Sequence, residues 1–266
     1  RNSFYSRSST ETKRRPMRIL ITGASGFIGH SLVEALEQNR SKYEVWKGVR
    51  HSSRSYALLP STVYLDMRDA DALQNAFTIV QPEVVVNLAA VSAVTYSFDH
   101  AAEVTDIIYG GTLRLASLCA AQNVWLIQAS TSEVYGNPEC KAPFSEATPL
   151  RATSPYALAK IAAEDALQLL SKTAGLRYTV IRPFNSYGRA FVGNQHFVVE
   201  KAITQAIKQQ HIQLRTSTAM RDFLFRDDHV SSYLAVLRNQ DKVAGETFNV
   251  CTGEAYSIAD MAKTIA

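Results

Sequence analysis

Tyr156 and Lys160 stand four residues apart in TSPYALAK, inside a stretch of helical period, so their side chains lie on one face about one turn apart. A phenol beside an ammonium suits general-base chemistry. The positive charge favours the phenolate and lowers the tyrosine pKa, so the pair can take a proton from a hydroxyl as hydride leaves the same carbon. Any helix can carry this spacing by accident, so its weight depends on what accompanies it.

A companion lies near the start of the chain. Directly after the strand-like MRILIT comes GASGFIG, in which Gly23, Gly26 and Gly29 precede a run of helical period. The first glycine permits a tight turn, the second lets backbone N–H groups approach a pyrophosphate, and the third allows close helix–strand packing at the positive end of a helix. Strand before and helix after make this a dinucleotide-binding loop rather than a structural turn.

The second strand-like run ends in VRHSSR, with no acid at its close. An acid there would accept a hydrogen bond from a ribose 2′-hydroxyl, whereas Arg50, Ser53 and Arg54 can hold a 2′-phosphate. The expected cofactor is therefore NADP, with NAD the alternative. Asp66, at the end of the third strand in YLDMRD, is placed either to meet the adenine or to cap a helix beginning near Asp69.

Elements that could position these groups alternate along the chain. The strand candidates are 17–22, 43–49, 62–65, 83–89, 124–130 and 178–184, several of them apolar on both alternating faces as buried parallel strands are. Helical stretches fall near 27–39, 69–80, 100–122 and 154–174. Repeated strand–helix–strand units predict an α/β fold of Rossmann type, a doubly wound parallel sheet over 17–184. After Phe184 the rhythm changes to a loop at 185–195, a helix near 196–210, a strand-like IQLRT and then MRDFLFRDDHVSSYLAVLRN. We expect 185–266 to form a smaller substrate-binding lobe that caps the sheet, with some elements returning to it.

Composition closes other routes. Of 28 basic and 24 acidic residues, 1–16 hold five basic and one acidic, leaving 23 of each in the body, so no basic footprint for nucleic acid remains. That Ser/Arg-rich tail reads as a disordered extension before a start at Met17. No apolar run approaches the ~20 residues of a membrane span, and no secretory signal is present, so a cytoplasmic protein is expected. Cys119, Cys140 and Cys251 form no CxxC pair and suggest neither disulfide nor metal site.

Taken in order, GASGFIG, NLAA at 87–90, ASTSEVYG at 129–136, the Tyr/Lys helix and RPFNSYG at 182–188 resemble the extended short-chain dehydrogenase/reductases that act on nucleotide sugars, the NAD-dependent epimerase/dehydratase family. The resemblance runs from Met17 to the end of the chain. It implies that Phe27, Ile28, Met67, Leu88, Ala89 and Ala90, together with Tyr156 and Lys160, contact the cofactor. It also implies that Asn185 and Arg221 meet the substrate diphosphate, although Arg221 and Asp222 could instead pair on the surface. Arg215, Lys201 and His196 are weaker candidates.

Thr131, Ser132 and Glu133 resemble the Thr-Ser-Glu of GDP-mannose-type 4,6-dehydratases, as do RHSSR and SFDHAAEVTDIIYGGTLRLASL. The implied reaction is internal redox at the sugar. Tyr156 takes the O4 proton with Lys160 and Thr131 in support, hydride passes from C4 to the cofactor, Glu133 removes the C5 proton with Ser132 helping the C6 hydroxyl depart, and hydride returns to C6. A 4-epimerase, a 4-keto reductase and a decarboxylase share part of the pattern; a non-catalytic NADP-binding sensor is the alternative of another class.

Two departures bear on this. The family often has Asn-x-x-Gly-Thr in the long helix after the fourth strand, where this chain has Ile108 to Thr112, and the lost side chain would alter how the tyrosine is set. The chain also stops at Ala266, just inside a helix starting near Ser257, which suggests a fragment. Relatives form homodimers through two helices, here 100–122 and 154–174, and some form homotetramers.

Overall fold

Runs of Val, Ile and Leu that are apolar on both faces need cover on both sides, and the fold supplies it. In the computed structural model, which describes residues 15–50, 59–136, 143–188 and 197–266, every residue of Val84–Asn87 is buried. The strands in chain order are β1 (Met17–Thr22), β2 (Tyr43–Val49), β3 (Thr62–Tyr64), β4 (Val84–Asn87), β5 (Trp125–Ala129), β6 (Tyr178–Pro183), β7 (Asn185–Tyr187), β8 (Met220–Phe225), β9 (Thr247–Val250) and β10 (Ala255–Ser257). The helices are α1 (Phe27–Glu37), α2 (Ala70–Val80), α3 (Tyr96–Asp99), α4 (Ala101–Thr105), α5 (Gly111–Ala121), α6 (Pro155–Ala174), α7 (Val198–Gln209), α8 (Arg226–Arg238), α9 (Gln240–Val243) and α10 (Ile258–Ile265).

Seven strands form one parallel sheet in the order β3-β2-β1-β4-β5-β6-β9. The chain starts mid-sheet, winds outward through β2 and β3, then crosses back to β4 beside β1. Between the carboxyl ends of β1 and β4 a crevice opens, where doubly wound sheets bind ligands. Thr22 Oγ1 donates to Asn87 Oδ1 at 2.5 Å, and Asn87 Nδ2 donates to Gln128 Oε1 at 2.8 Å, which ties the ends of β1, β4 and β5 together beneath that crevice.

On one face of the sheet α2, α5 and α6 pack through Leu73, Phe77, Leu115 and Leu167. On the other, α1 and α8 pack through Leu32, Leu36, Val230 and Tyr233. Both β9 and α8 lie past residue 184, so the later part of the chain completes the sheet and one of its layers. The smaller lobe holds a sheet of order β10-β8-β7 and the pair α7 and α10, joined through Val199, Ala202, Ile258 and Met261. IQLRT is not a strand. Ile212 and Leu214 turn into this lobe's core, so their alternation serves packing rather than a ladder.

The long helix after β4 is interrupted by a π-helical turn at Asp106–Gly110. Such turns mark functional places in helices. The distortion therefore survives without the asparagine, and Ile108 is buried with Val104, Ile107, Tyr156 and Ala159.

Under the crevice sits a buried ion pair that the sequence did not announce. Glu164 on α6 accepts from Arg182 Nη2 on β6 at 2.5 Å and from Ser130 Oγ at the end of β5. Arg182 Nη1 also donates to the Tyr135 hydroxyl at 2.9 Å, which donates to Asn249 Oδ1 on β9 at 2.6 Å. Removing one partner strands the other charge in a dry interior. Arg182→Met is expected to cost about 3–5 kcal/mol of unfolding free energy in urea denaturation.

Candidate active site

A cavity of about 790 Å³ opens over the carboxyl ends of β1, β4, β5 and β6 and under the smaller lobe. Its floor begins at the glycine loop. Gly23 has φ +65°, and a Cβ there would lie 2.9 Å from Ala89 N and from Leu88 C. At Gly29 a Cβ would come within 2.3 Å of Gly23 O, so the helix can approach the strand only with glycine. No side chain caps the start of α1 and its first turn has no acid, which leaves this positive end facing the cavity. A cradle of this shape fits a dinucleotide pyrophosphate. Gly29→Ala is expected to lower unfolding free energy by about 1–3 kcal/mol by overpacking against backbone, and to weaken NADP⁺ binding; thermal melts with and without NADP⁺ check both.

Phe27, Ile28, Leu88 and Ala90 line the same cavity, whereas Ala89 lies just behind it with its N–H donated to Thr22 Oγ1 at 3.2 Å. Arg50 is exposed at the end of β2, and Ser53 and Arg54 fall outside the described residues. Asp66 and Met67 follow β3, off the cavity wall. Asp66 accepts from Arg68 Nη2 at 2.9 Å, and that bond holds its carboxyl below the ordinary carboxylate range. Asp69, not Asp66, caps α2 through Ala72 N at 2.9 Å. Met67 packs against Gly111, where a Cβ would stand 2.6 Å from Met67 Cβ.

Tyr156 and Lys160 are set by the start of α6. Ser154 caps the helix by accepting from Ala157 N at 3.1 Å, and Pro155 occupies its first turn. Both side chains are buried yet line the cavity. Lys160 Nζ donates to Ala129 O at 2.7 Å and stands 5.9 Å from the centre of the Tyr156 ring. Burial lowers the lysine pKa to about 8. Burial also pushes Tyr156 up to about 12, with a hydrogen bond to Thr131 opposing the rise and the Glu133 charge adding to it. The expectation of a lowered tyrosine pKa is thus corrected for the protein's own groups: desolvation outweighs the lysine, whose proton is directed at a carbonyl.

β5 is followed by Ser130 and Thr131, after which a 3₁₀ turn over Ser132–Tyr135 swings Ser132 and Glu133 into the cavity. Thr131 Oγ1 accepts from Glu133 N at 3.2 Å, so one hydroxyl links the tyrosine to the turn that carries the carboxylate. Phenol, hydroxyl, ammonium and carboxylate therefore line one cavity, an arrangement able to move protons on and off a bound alcohol or ketone.

From the lobe, Asn185 on β7 and Arg221 on β8 reach the cavity, as do Lys201 and Arg215. Asp222 accepts from Thr252 N at 3.0 Å and Gly253 N at 2.7 Å, so it is committed to a backbone turn rather than to Arg221. His196 lies outside the described residues. Among the cavity residues that carried no sequence signal are Glu200, whose Oε1 accepts from Gly188 N at 3.0 Å, and buried His229 on α8.

Residues 19–251 match the family described as the NAD dependent epimerase/dehydratase family. The GDP-6-deoxy-D-mannose reductase of Pseudomonas aeruginosa is 28% identical over 258 residues, spanning 94% of this chain and 79% of the relative. Among solved structures, UDP-glucose 4-epimerase of Thermotoga maritima with UDP-glucose superposes with a TM-score of 0.85 at 28% identity, covering 94% of this chain and 81% of that one. The dTDP-glucose 4,6-dehydratase of Bacillus anthracis in complex with NAD gives a TM-score of 0.81 at 26% identity, covering 94% and 80%.

Proposed function

Because the chain belongs to the NAD dependent epimerase/dehydratase family, whose matched relatives are nucleotide-sugar dehydratases, epimerases and reductases, we propose that it is a 4,6-dehydratase of GDP-mannose type that uses NADP. The observation that carries this reading is Glu133, a carboxylate facing the same cavity as Tyr156 and joined to it through Thr131. Oxidation at C4 needs only the tyrosine and lysine, whereas loss of water across C5 and C6 needs a base for the C5 proton.

A dinucleotide held by the glycine loop would supply reversible hydride acceptance. Tyr156 Oη takes the O4 proton while Thr131 Oγ1 holds O4 in place. Lys160 Nζ, near its own pKa of about 8, supports that transfer and can pass a proton on. Glu133 then removes the C5 proton, which a C4 ketone acidifies, and gives it to the C6 hydroxyl, steadied by Ser132, as that hydroxyl leaves as water. Asn185 and Arg221 hold the diphosphate, the arginine through its planar fork of donors. Arg50, Ser53 and Arg54 would hold the 2′-phosphate of NADP.

A second reading, 4-epimerase or 4-keto reductase, is favoured by the superposition on the UDP-glucose epimerase. Separate incubations of GDP-mannose, dTDP-glucose, UDP-glucose and UDP-N-acetylglucosamine with catalytic NADP⁺, read by mass spectrometry, separate the two. Loss of one water from a donor supports the dehydratase. An altered sugar of unchanged mass supports the epimerase, and no change in any donor overturns both.

No helix among the described residues is long and apolar enough to cross a membrane. Leu158 and Leu169, three turns apart on α6, are 60% and 61% exposed. Such a stripe fits a homodimer built on α4, α5 and α6. Leu158→Glu with Leu169→Glu is expected to halve the mass read by light scattering while leaving the circular dichroism spectrum unchanged.

A further inference from the structure

His229 is 4% exposed, yet it is among the residues that line the cavity. Nδ1 lies 2.9 Å from Ser186 Oγ, and the ring stacks on Tyr233 with centroids 5.5 Å apart. Among the described residues Nε2 has no hydrogen-bond partner although it is buried. A buried imidazole nitrogen without a partner has given up its hydrogen bond to water for nothing in return, and such an atom in a native protein calls for an occupant.

The chemistry of that occupant is narrow. Burial lowers the histidine pKa to about 4, so the ring is neutral at working pH and offers no charge to a phosphate. With Nδ1 engaged by Ser186, Nε2 either donates one hydrogen bond or accepts one. A primary carboxamide answers either state, since it carries an N–H donor and a C=O acceptor. Position favours the cofactor over the sugar. His229 arrives from α8, the layer shared with α1 and Ile28, and is fixed to Ser186 beyond the end of β6. Glu133 and Tyr156 approach from β5 and from α6 in the opposite layer.

We propose that His229 Nε2 hydrogen-bonds the carboxamide of the nicotinamide, with Ser186 holding the ring, so that His229 is a positioning residue for the redox end of the cofactor. The inference rests on the dinucleotide reading given above. His229→Leu then weakens binding of NADP⁺, and of NAD⁺, about tenfold, the worth of one such bond. Binding of 2′-phospho-ADP-ribose and ADP-ribose, which lack the nicotinamide, stays within twofold, and His229→Gln restores most of the loss.

Calorimetric titration of protein cleared of nucleotide on charcoal reads these affinities. In the wild-type chain, the ¹⁵N signal of Nε2, assigned by its disappearance in His229→Gln, should move on adding NADP⁺ and stay still with 2′-phospho-ADP-ribose, which decides the matter even if the leucine variant fails to fold. Equal weakening of whole and truncated nucleotides, no weakening of either, or a signal that moves with both or with neither overturns the proposal while the dinucleotide reading stands. Wild-type protein that binds none of the four nucleotides overturns both.

Discussion

Tyr156→Phe is expected to lower kcat by about 10²–10⁴-fold, the range of a positioned general base, while leaving the Kd for NADP⁺ within about threefold. The phenol hydroxyl is buried, bonded to Thr131, and stands one helical turn from Lys160. Its removal deletes proton transfer and little cradle, because the cradle proposed for the pyrophosphate is formed by Gly23, Gly26 and Gly29. The wild-type pH profile follows from the same groups. Tyr156 must give up its proton, with a pKa of about 12, and Lys160 must keep its own, with a pKa of about 8. The competent form therefore grows with pH until Lys160 begins to lose its proton. Measured kcat/KM should climb roughly tenfold per pH unit toward pH 8 and then level, and Lys160→Arg should carry the climb further. An unchanged kcat in Tyr156→Phe would remove the tyrosine from the chemistry.

The second large effect concerns the step that distinguishes dehydration from epimerisation. Glu133→Gln is expected to lower water loss about 10²–10⁴-fold while leaving C4 oxidation, followed by absorbance of the reduced nicotinamide at stoichiometric enzyme, within a few-fold. Glutamine keeps the shape of the side chain and its place in the 3₁₀ turn but has no basic oxygen for a C5 proton. In deuterated water the wild-type product should carry deuterium at C5. The variant should release neither dehydrated sugar nor C5-labelled substrate, and a variant that dehydrates at the wild-type rate would leave Glu133 without its assigned part.

Much of this site was legible because it lies on local patterns. Six strand candidates fall on β1 to β6, since strands covered on both faces are apolar throughout, and a cap at Ser154 with Gly175 past its end bounds α6. The glycine loop could be read because each glycine answers a steric demand within a few residues of itself. β9 escaped because TFNV is a short edge strand of mixed polarity, and its partner β6 lies more than sixty residues away. IQLRT misled because apolar alternation also suits a loop that drops two side chains into a core. Glu164, Arg182 and His229 had no local signature at all: their meaning comes from which strand and helix ends meet in space. The tyrosine pKa was misjudged for a related reason, as helical spacing tells that a lysine is near but not that burial outweighs it.

Labelling tests the account's central claim most directly. GDP-mannose and dTDP-glucose, each deuterated at C4, are incubated separately in ordinary water with the enzyme and catalytic unlabelled NADP⁺, and the sugars are read by mass spectrometry. The account predicts that at least one donor loses a water and carries its deuterium at C6, with the nicotinamide pool left unlabelled. Donors that lose no water, or a dehydrated sugar whose deuterium has passed to the nicotinamide pool, would contradict it.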